Sequence, residues 1–184
     1  MGWTSYHAKH YTRRGEIDRK AECDEVFTEN GENGKWEVLK SSMHGSTYYA
    51  AVWRTRPSGE SYVFAAVCLT SVDISDYFDF SYKDMDESMG PGSYDCPLSI
   101  LDLLSPTENE YALAWRERCR SKAKSRNSLS NLPIGTTIEF EFAGKTMRAT
   151  KTAPAYQFKT PWWKTGPSNY ISKSRIPSEY RIID

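Results

Sequence analysis

A chain of 184 residues with 39% apolar and 14% aromatic side chains has enough nonpolar surface for a core in one domain or two small ones; this excludes general disorder and makes disulfides or metals unnecessary for folding. Its net charge is zero but unevenly spread, with ten acids against the single base Lys83 from Asp73 to Glu110, and thirteen bases against three acids from Arg116 to Arg175. That polarity excludes both a uniformly acidic nucleic-acid mimic and a uniformly basic nucleic-acid coat.

The opening Met1-Gly2-Trp3 lacks an apolar signal region, Tyr6 stands where N-myristoylation needs serine or threonine, and no run reaches membrane-spanning length. The expectation is therefore an intracellular protein without membrane contact. Residues 3–11 read as a strand, and Asp18 N-caps a helix to about Glu29 with Cys23, Val26 and Phe27 on one face. Trp36–Met43, Thr47–Thr55 and Ser61–Thr70, joined at His44-Gly45 and Pro57-Ser58-Gly59, predict an antiparallel meander.

Residues 73–96 mix acids and aromatics with little period around the turn Gly90-Pro91-Gly92, which predicts a long functional loop. Pro97 suits the first position of a short helix to Leu104, and Thr107 with Glu110 makes a capping box for the next one. In that helix Tyr111, Trp115 and Cys119 form an apolar stripe with Arg116, Arg120 and Lys124 opposite; Arg118, Lys122 and Arg126 fall in the stripe's own sector and must snorkel or lie beyond the packed part. Residues 125–133 read as a linker, and the short strands Thr136–Phe142, Lys145–Thr152, Ala155–Lys159, Tyr170–Lys173 and Tyr180–Ile183 predict a half-open SH3-like barrel. The fold class is α+β: an antiparallel sheet with two or three helices over residues 1–128, then a small SH3-like β-barrel subdomain over 129–184.

Three groups of residues bear on chemistry. Cys23, Cys68, Cys96 and Cys119 are widely separated, with no Cys-x-x-Cys pair and no histidine at finger spacing, so reduced thiols and no metal site are expected. Asp84, Asp86, Glu87 and Asp95 superficially space like a calcium loop, but Met89 stands where that loop needs glycine and Asp95 where it needs glutamate, which favours a solvated or cap-forming segment. With those carboxylates, His7, His10 or His44 could act as a general base on nucleic acid, the one reading that would call for Mg²⁺; satisfied structural histidines are the commoner case.

The basic run Arg116, Arg118, Arg120, Lys122, Lys124 and Arg126 suits phosphate, helped by Lys151 and Lys159, while Trp162, Trp163 and Lys164 could stack on bases or on a protein surface. Asp73, Asp76, Asp79, Asp84, Asp86 and Glu87 form an acidic counterpart suited to a basic partner. An ordinary solvated helix face explains the same run of cations. The chain has no phosphate-binding glycine loop, no nucleophile elbow and no sign of a small-molecule substrate.

The strings MGWTSYHAKHY, IDRKAECDEVF, VLKSSMHGSTYYAAV, YKDMDESMGPGSYDCP, ALAWRERC and TPWW resemble a family of proteins encoded by phages, plasmids and other mobile elements of bacteria, and the resemblance spans nearly the whole chain. It carries no catalytic signature to transfer. It implies an accessory protein of the bacterial host cytoplasm that protects a mobile element from host defence, similar to anti-CRISPR proteins that inhibit the type II-A effector Cas9. The expected partner is thus Cas9 or its guide RNA complex, bound so that DNA binding or cleavage is blocked, with RNA or DNA contact and no cofactor. A nuclease acting on guide RNA, and a general nucleic-acid-binding accessory protein, are the alternatives.

Overall fold

The computed structural model describes residues 2–31, 34–73, 77–152, 157–159, 170–172, 175–177 and 179–183, with the backbone alone at 29–31, 157–159, 170 and 172. The chain divides into two compact units, Met1–Cys119 and Arg120–Asp184.

The first unit contains β1 (Thr4–Tyr6), α1 (Arg19–Val26), β2 (Glu29–Gly31), β3 (Gly34–His44), β4 (Thr47–Thr55), β5 (Ser61–Val72), β6 (Phe80–Asp86), a 3-10 turn (Glu87–Met89), α2 (Leu98–Leu101) and the first part of α3 (Glu110–Asn131). Its sheet is antiparallel in the order β1-β6-β5-β4-β3-β2. The meander is where the sequence places it because both hairpins have turn residues that suit them. Gly34, which opens β3, has φ +105°, and a Cβ there would lie 1.9 Å from the Thr55 carbonyl oxygen, so only glycine can start this strand beside β4.

Successive strand residues point to opposite faces, and β4 and β5 are buried on both. Tyr48, Ala50, Val52, Ala66 and Cys68 pack toward Cys23 and Phe27 at α1. Tyr49, Ala51, Ala65 and Val67 pack toward Ile100, Leu101, Trp115 and Cys119. This two-sided burial explains the unbroken apolar run of β4, which a sheet with one wet face would not tolerate.

Asp18 caps α1 as expected, accepting a hydrogen bond from the Ala21 amide at 3.1 Å. The helix stops at Val26 rather than near Glu29, because residues 29–31 turn into β2 and pair with Gly34 to Trp36. Strand β1 is also shorter than residues 3–11. Beyond it the fully buried Glu22 carboxylate accepts from Tyr6 Oη (2.8 Å) and from the Lys9 and His10 amides (2.5 Å each), drawing the backbone off the sheet.

Burial pushes the Asp24 carboxyl up, but hydrogen bonds from Lys20, Ser41 and Tyr48 outweigh it and hold the group below its ordinary value. A depressed folded-state pKa stabilises the fold above the unfolded value, near pH 4, and that stabilisation is lost as pH falls through the folded value. Asp24→Asn should therefore flatten the acid limb of a urea-midpoint-against-pH curve; an unchanged limb would refute the assignment.

The described part of this acidic passage, residues 77–96, is not a long irregular loop. Phe80, Tyr82, Asp84 and Asp86 alternate along β6, and Phe80 and Tyr82 pack edge-on against Tyr6, a period that the surrounding acids conceal in the sequence. The segment after it is held by Ser93, whose Oγ bonds to Tyr49 Oη and whose carbonyl accepts from Trp115 Nε1 at 2.9 Å. Burial pushes the Tyr49 phenol up to about 12.

Pro97 is the N-cap of α2 rather than its first residue. Asn109 caps α3, its Oδ1 accepting from the Ala112 amide at 3.0 Å, while Thr107 accepts from the Asn109 amide at 3.2 Å; the expected Thr107–Glu110 box is displaced by two positions. The buried face is also rotated from the expected one. Tyr111 is 68% exposed, and the residues at i, i+3, i+4 and i+7 that go inside are Ala112, Trp115, Arg116 and Cys119.

The second unit holds the remainder of α3 with β7 (Thr137–Phe142), β8 (Lys145–Lys151), β9 (Gln157–Lys159), β10 (Tyr170–Ser172) and β11 (Arg181–Ile182). Its antiparallel sheet runs β10-β9-β8-β7-β11 and, among the described residues, does not close into a barrel. Leu129, Ile138, Phe140, Ala149, Ile171 and Ile176 form its core. The supposed linker at 125–133 is helical as far as Asn131, because Leu129 is buried and the Lys151 ammonium meets the helix end. The protein is thus of mixed α and β class, and among the described residues no helix is long and apolar enough to cross a membrane.

Candidate binding cleft

Strand β6 ends at Asp86, opposite Ala66, so β5 continues from Ala65 back to Ser61 with no strand on that side among the described residues. Other groups occupy its outward backbone. The Ser105 amide donates to Val63 O and the Val63 amide to Ser105 Oγ, both at 2.9 Å, and the Ala65 amide donates to Glu87 Oε1 at 3.3 Å. Arg116 then holds the Glu87 carboxylate through Nε (2.5 Å) and Nη2 (2.7 Å) and donates from Nη1 to Ser105 O at 2.8 Å. Glu87 is 4% and Arg116 6% exposed.

Around this edge opens a cleft of about 480 Å³. On the α1 side its floor is Phe64 with the cross-strand row Trp36, Arg54 and Tyr62, and Phe27 and Met89 also line it. The Arg54 guanidinium lies 4.8 Å from the Trp36 ring centroid and donates from Nη1 to Tyr62 Oη at 3.2 Å. Arg54 Nε and Trp36 Nε1 are buried and, among the described residues, hydrogen-bond to nothing. Asp84 and Asp86 line the cleft from β6. Their partners across β5, Cys68 and Ala66, belong to the α1-side core, so both carboxylates rise from that same face.

The charges of this cleft divide into paired and unpaired. Arg56 meets Glu60 at 2.7 Å and Arg116 meets Glu87. Arg54, Asp84 and Asp86 are in no ion pair among the described residues, although Asp86 caps the 3-10 turn by accepting from the Ser88 amide at 2.8 Å.

The structure redistributes the residues singled out in the sequence. Arg116 and Glu87, expected in opposite exposed patches, neutralise each other inside the fold and are corrected to architecture. Lys151, expected to support phosphate contact, is 4% exposed and is likewise internal. Arg118, Arg120 and Lys124 are exposed, and Lys122 and Arg126 are half-buried. Arg118 donates to Tyr94 Oη at 2.8 Å and stacks on that ring, so it does not lie beyond the packed part.

Among the acids, Asp73 and Asp84 are exposed, while Asp86 and Asp95 are half-buried. Asp79 accepts from the Ala8 amide (2.7 Å) and from Tyr11 Oη (3.2 Å); the amide is the main cause holding its carboxyl below the usual range. Asp76, Trp162, Trp163 and Lys164 lie outside the described residues, as does the side chain of Lys159.

The histidines are placed with other partners than those proposed for them. His10 Nε2 is 2.6 Å from Glu25 Oε2, His7 packs on the rings of Tyr77 and Phe78, and His44 ends β3 in an exposed position. No described hydrogen bond or ion pair joins any of them to Asp84, Asp86, Glu87 or Asp95. Among the described residues, no three His, Cys, Asp or Glu side chains cluster as metal ligands would.

Trp36, Arg54, Tyr62 and Phe64 give no signal of their own in the sequence because each reads as ordinary strand filling. The signal was present in the turn at Pro57-Ser58-Gly59, which sets Thr55 opposite Ser61 and hence Arg54 opposite Tyr62.

A family described as a domain of unknown function (DUF6927) matches residues 106–155, which run from just before α3 to just past β8. The match covers less than half of the chain and brings no activity with it. No curated protein and no solved structure matches.

Proposed function

We propose that the protein acts by binding, as an anti-defence protein of a bacterial mobile element that engages Cas9 with its guide RNA and blocks DNA binding or cleavage. The observation that carries the binding reading is the cleft at the β5 edge, where an arginine and two carboxylates without ionic partners among the described residues stand on a sheet packed on both faces. A rigid scaffold that leaves charges uncompensated is suited to a partner that supplies the opposite ones. The choice of target rests on the resemblance of the MGWTSYHAKHY and YKDMDESMGPGSYDCP strings to mobile-element proteins. The SH3-like barrel stays part of this reading for residues 129–184, supported by the run of short antiparallel strands there.

Titration of the purified protein into a panel of Cas9–guide complexes tests it. The expected result is co-elution with at least one complex, loss of target-DNA cleavage and an intact guide RNA on a gel. Guide RNA degraded in Mg²⁺ and spared in EDTA would establish the nuclease instead. Binding to bare DNA or RNA at physiological salt, without effect on cleavage, would leave only an accessory nucleic-acid binder.

Because Arg116 is internal, RNA contact falls to the exposed cations of α3. The triple change Arg118→Glu, Arg120→Glu and Lys124→Glu should raise the half-inhibitory concentration roughly ten-fold or more and flatten its salt dependence. Unchanged inhibition would remove α3 from the contact.

A further inference from the structure

We propose that the cleft at the β5 edge receives an arginine or lysine side chain of a partner protein. This rests on the binding reading above and names the group bound.

Three observations converge on it. First, among the described residues the charges left after internal pairing are one cation, Arg54, and two carboxylates, Asp84 and Asp86, so the cleft carries an excess of negative charge. A phosphate group would meet that excess as repulsion; an ammonium or guanidinium meets it as attraction. Second, the two ends differ in kind. The Trp36–Arg54–Tyr62 end offers N–H donors of the half-buried Arg54 guanidinium, one of which already meets Tyr62 Oη.

The carboxylate end offers only acceptors. Third, Phe64 lies between them, because its row on the sheet falls between that of Tyr62 and that of Ala66 and Asp86. Tyr62 and Ala66 are four residues apart, which is about 13 Å of strand. The Arg54 and Asp86 side chains shorten that gap from either end. A residue with a backbone carbonyl at the Arg54 guanidinium, a side chain lying across Phe64, and a cation at Asp84 and Asp86 satisfies all three, and the aromatic floor favours a cation further.

An added β-strand is the obvious rival occupant of a free strand edge. Ser105 already takes both the Val63 amide and the Val63 carbonyl, so that edge is closed to a ladder. The occupant is therefore a side chain with its local backbone, as presented by a basic protein surface. A protein that binds nucleic acid displays such a surface in its channel.

The probe is N-acetyl-arginine methylamide, titrated into the intact protein and followed by the NMR signals of the Trp36 indole N–H and the Tyr62 ring. N-acetyl-citrulline methylamide serves as the neutral control and guanosine monophosphate as the nucleotide control. Saturable shifts are expected with the arginine probe, at least ten-fold weaker binding of the citrulline probe, and weakening as salt rises. Asp84→Asn, a change at an exposed position, should cost the arginine probe at least three-fold while leaving the spectrum of the folded protein intact. Equal binding of arginine and citrulline, preference for the nucleotide, or no saturable shift would each overturn the proposal. The outcome is separable from the target: a protein that binds the probe but leaves Cas9 active refutes only the Cas9 reading, and one that inhibits Cas9 without binding the probe refutes only the cleft assignment.

Discussion

Arg116→Met should lower the stability of the Met1–Cys119 unit by about 3–5 kcal/mol, a loss large enough to decide whether that unit folds. The guanidinium it removes makes three hydrogen bonds, two to Glu87 and one to the Ser105 carbonyl. Methionine keeps the hydrophobic stem but leaves the Glu87 carboxylate, itself 4% exposed, without a counter-charge where water barely reaches. Glu87 also accepts from the Ala65 amide, so its displacement would unsettle the exposed end of β5 as well.

The double change Glu87→Leu with Arg116→Met should recover most of the loss, because removing both charges removes the desolvation penalty that the single change leaves behind. Urea unfolding, read by hydrogen exchange at the β5 amides, measures it. A single-mutant loss below about 1 kcal/mol, or a double mutant no better than the single, would show that the pair is not the internal brace described above.

This pair also marks the limit of what the sequence disclosed. The meander, the α1 cap and the β7–β8 hairpin were legible because local chemistry decides them: apolar runs bounded by glycine turns, alternation in β7 and an aspartate at a helix start. Arg116 falls on the exposed side when the helix is phased on Tyr111, which is large and apolar yet 68% exposed. The small Ala112, 1% exposed, carries the true phase and gives a weak signal on any hydrophobic scale. Glu87 looks like part of a charged loop, since nothing within a few residues of it reveals an arginine 29 positions later.

The acidic passage illustrates the same difficulty from the other side. Its composition suggested a functional loop, while its period of two, Phe80, Tyr82, Asp84, Asp86, was that of a strand. Both readings contained something. The strand places Asp84 and Asp86 on the sheet face that carries Trp36, Arg54 and Phe64, and only a long-range register brings acids from one segment to aromatics from two others. Sites assembled in that way are not visible as motifs.

Lys151→Met should destabilise the Arg120–Asp184 unit by about 2–4 kcal/mol, with the effect concentrated at the end of α3. The last four carbonyls of a helix have no partner within it, and here one ammonium serves that end: Lys151 Nζ donates to the carbonyls of Ser130 and Leu132 at 2.6 Å and of Leu129 at 3.4 Å. Its charge also sits at the negative pole of the helix dipole, and at 4% exposure water screens little of that attraction. The helix tail it secures is otherwise poor in helix formers, with Asn127, Ser128, Ser130 and Asn131, which is why those residues resemble a linker in the sequence. Leu129 anchors this stretch in the core, with Ile138, Phe140 and Ala149, and Leu132 packs against the same cluster. Methionine preserves the stem's packing and deletes the three donors, so the amides of residues 128–132 should exchange faster while those of the first turns of α3 keep their protection. Uniform acceleration along the whole helix would mean that the cap is not a local device, and no acceleration at all would mean that packing of Leu129 suffices without it.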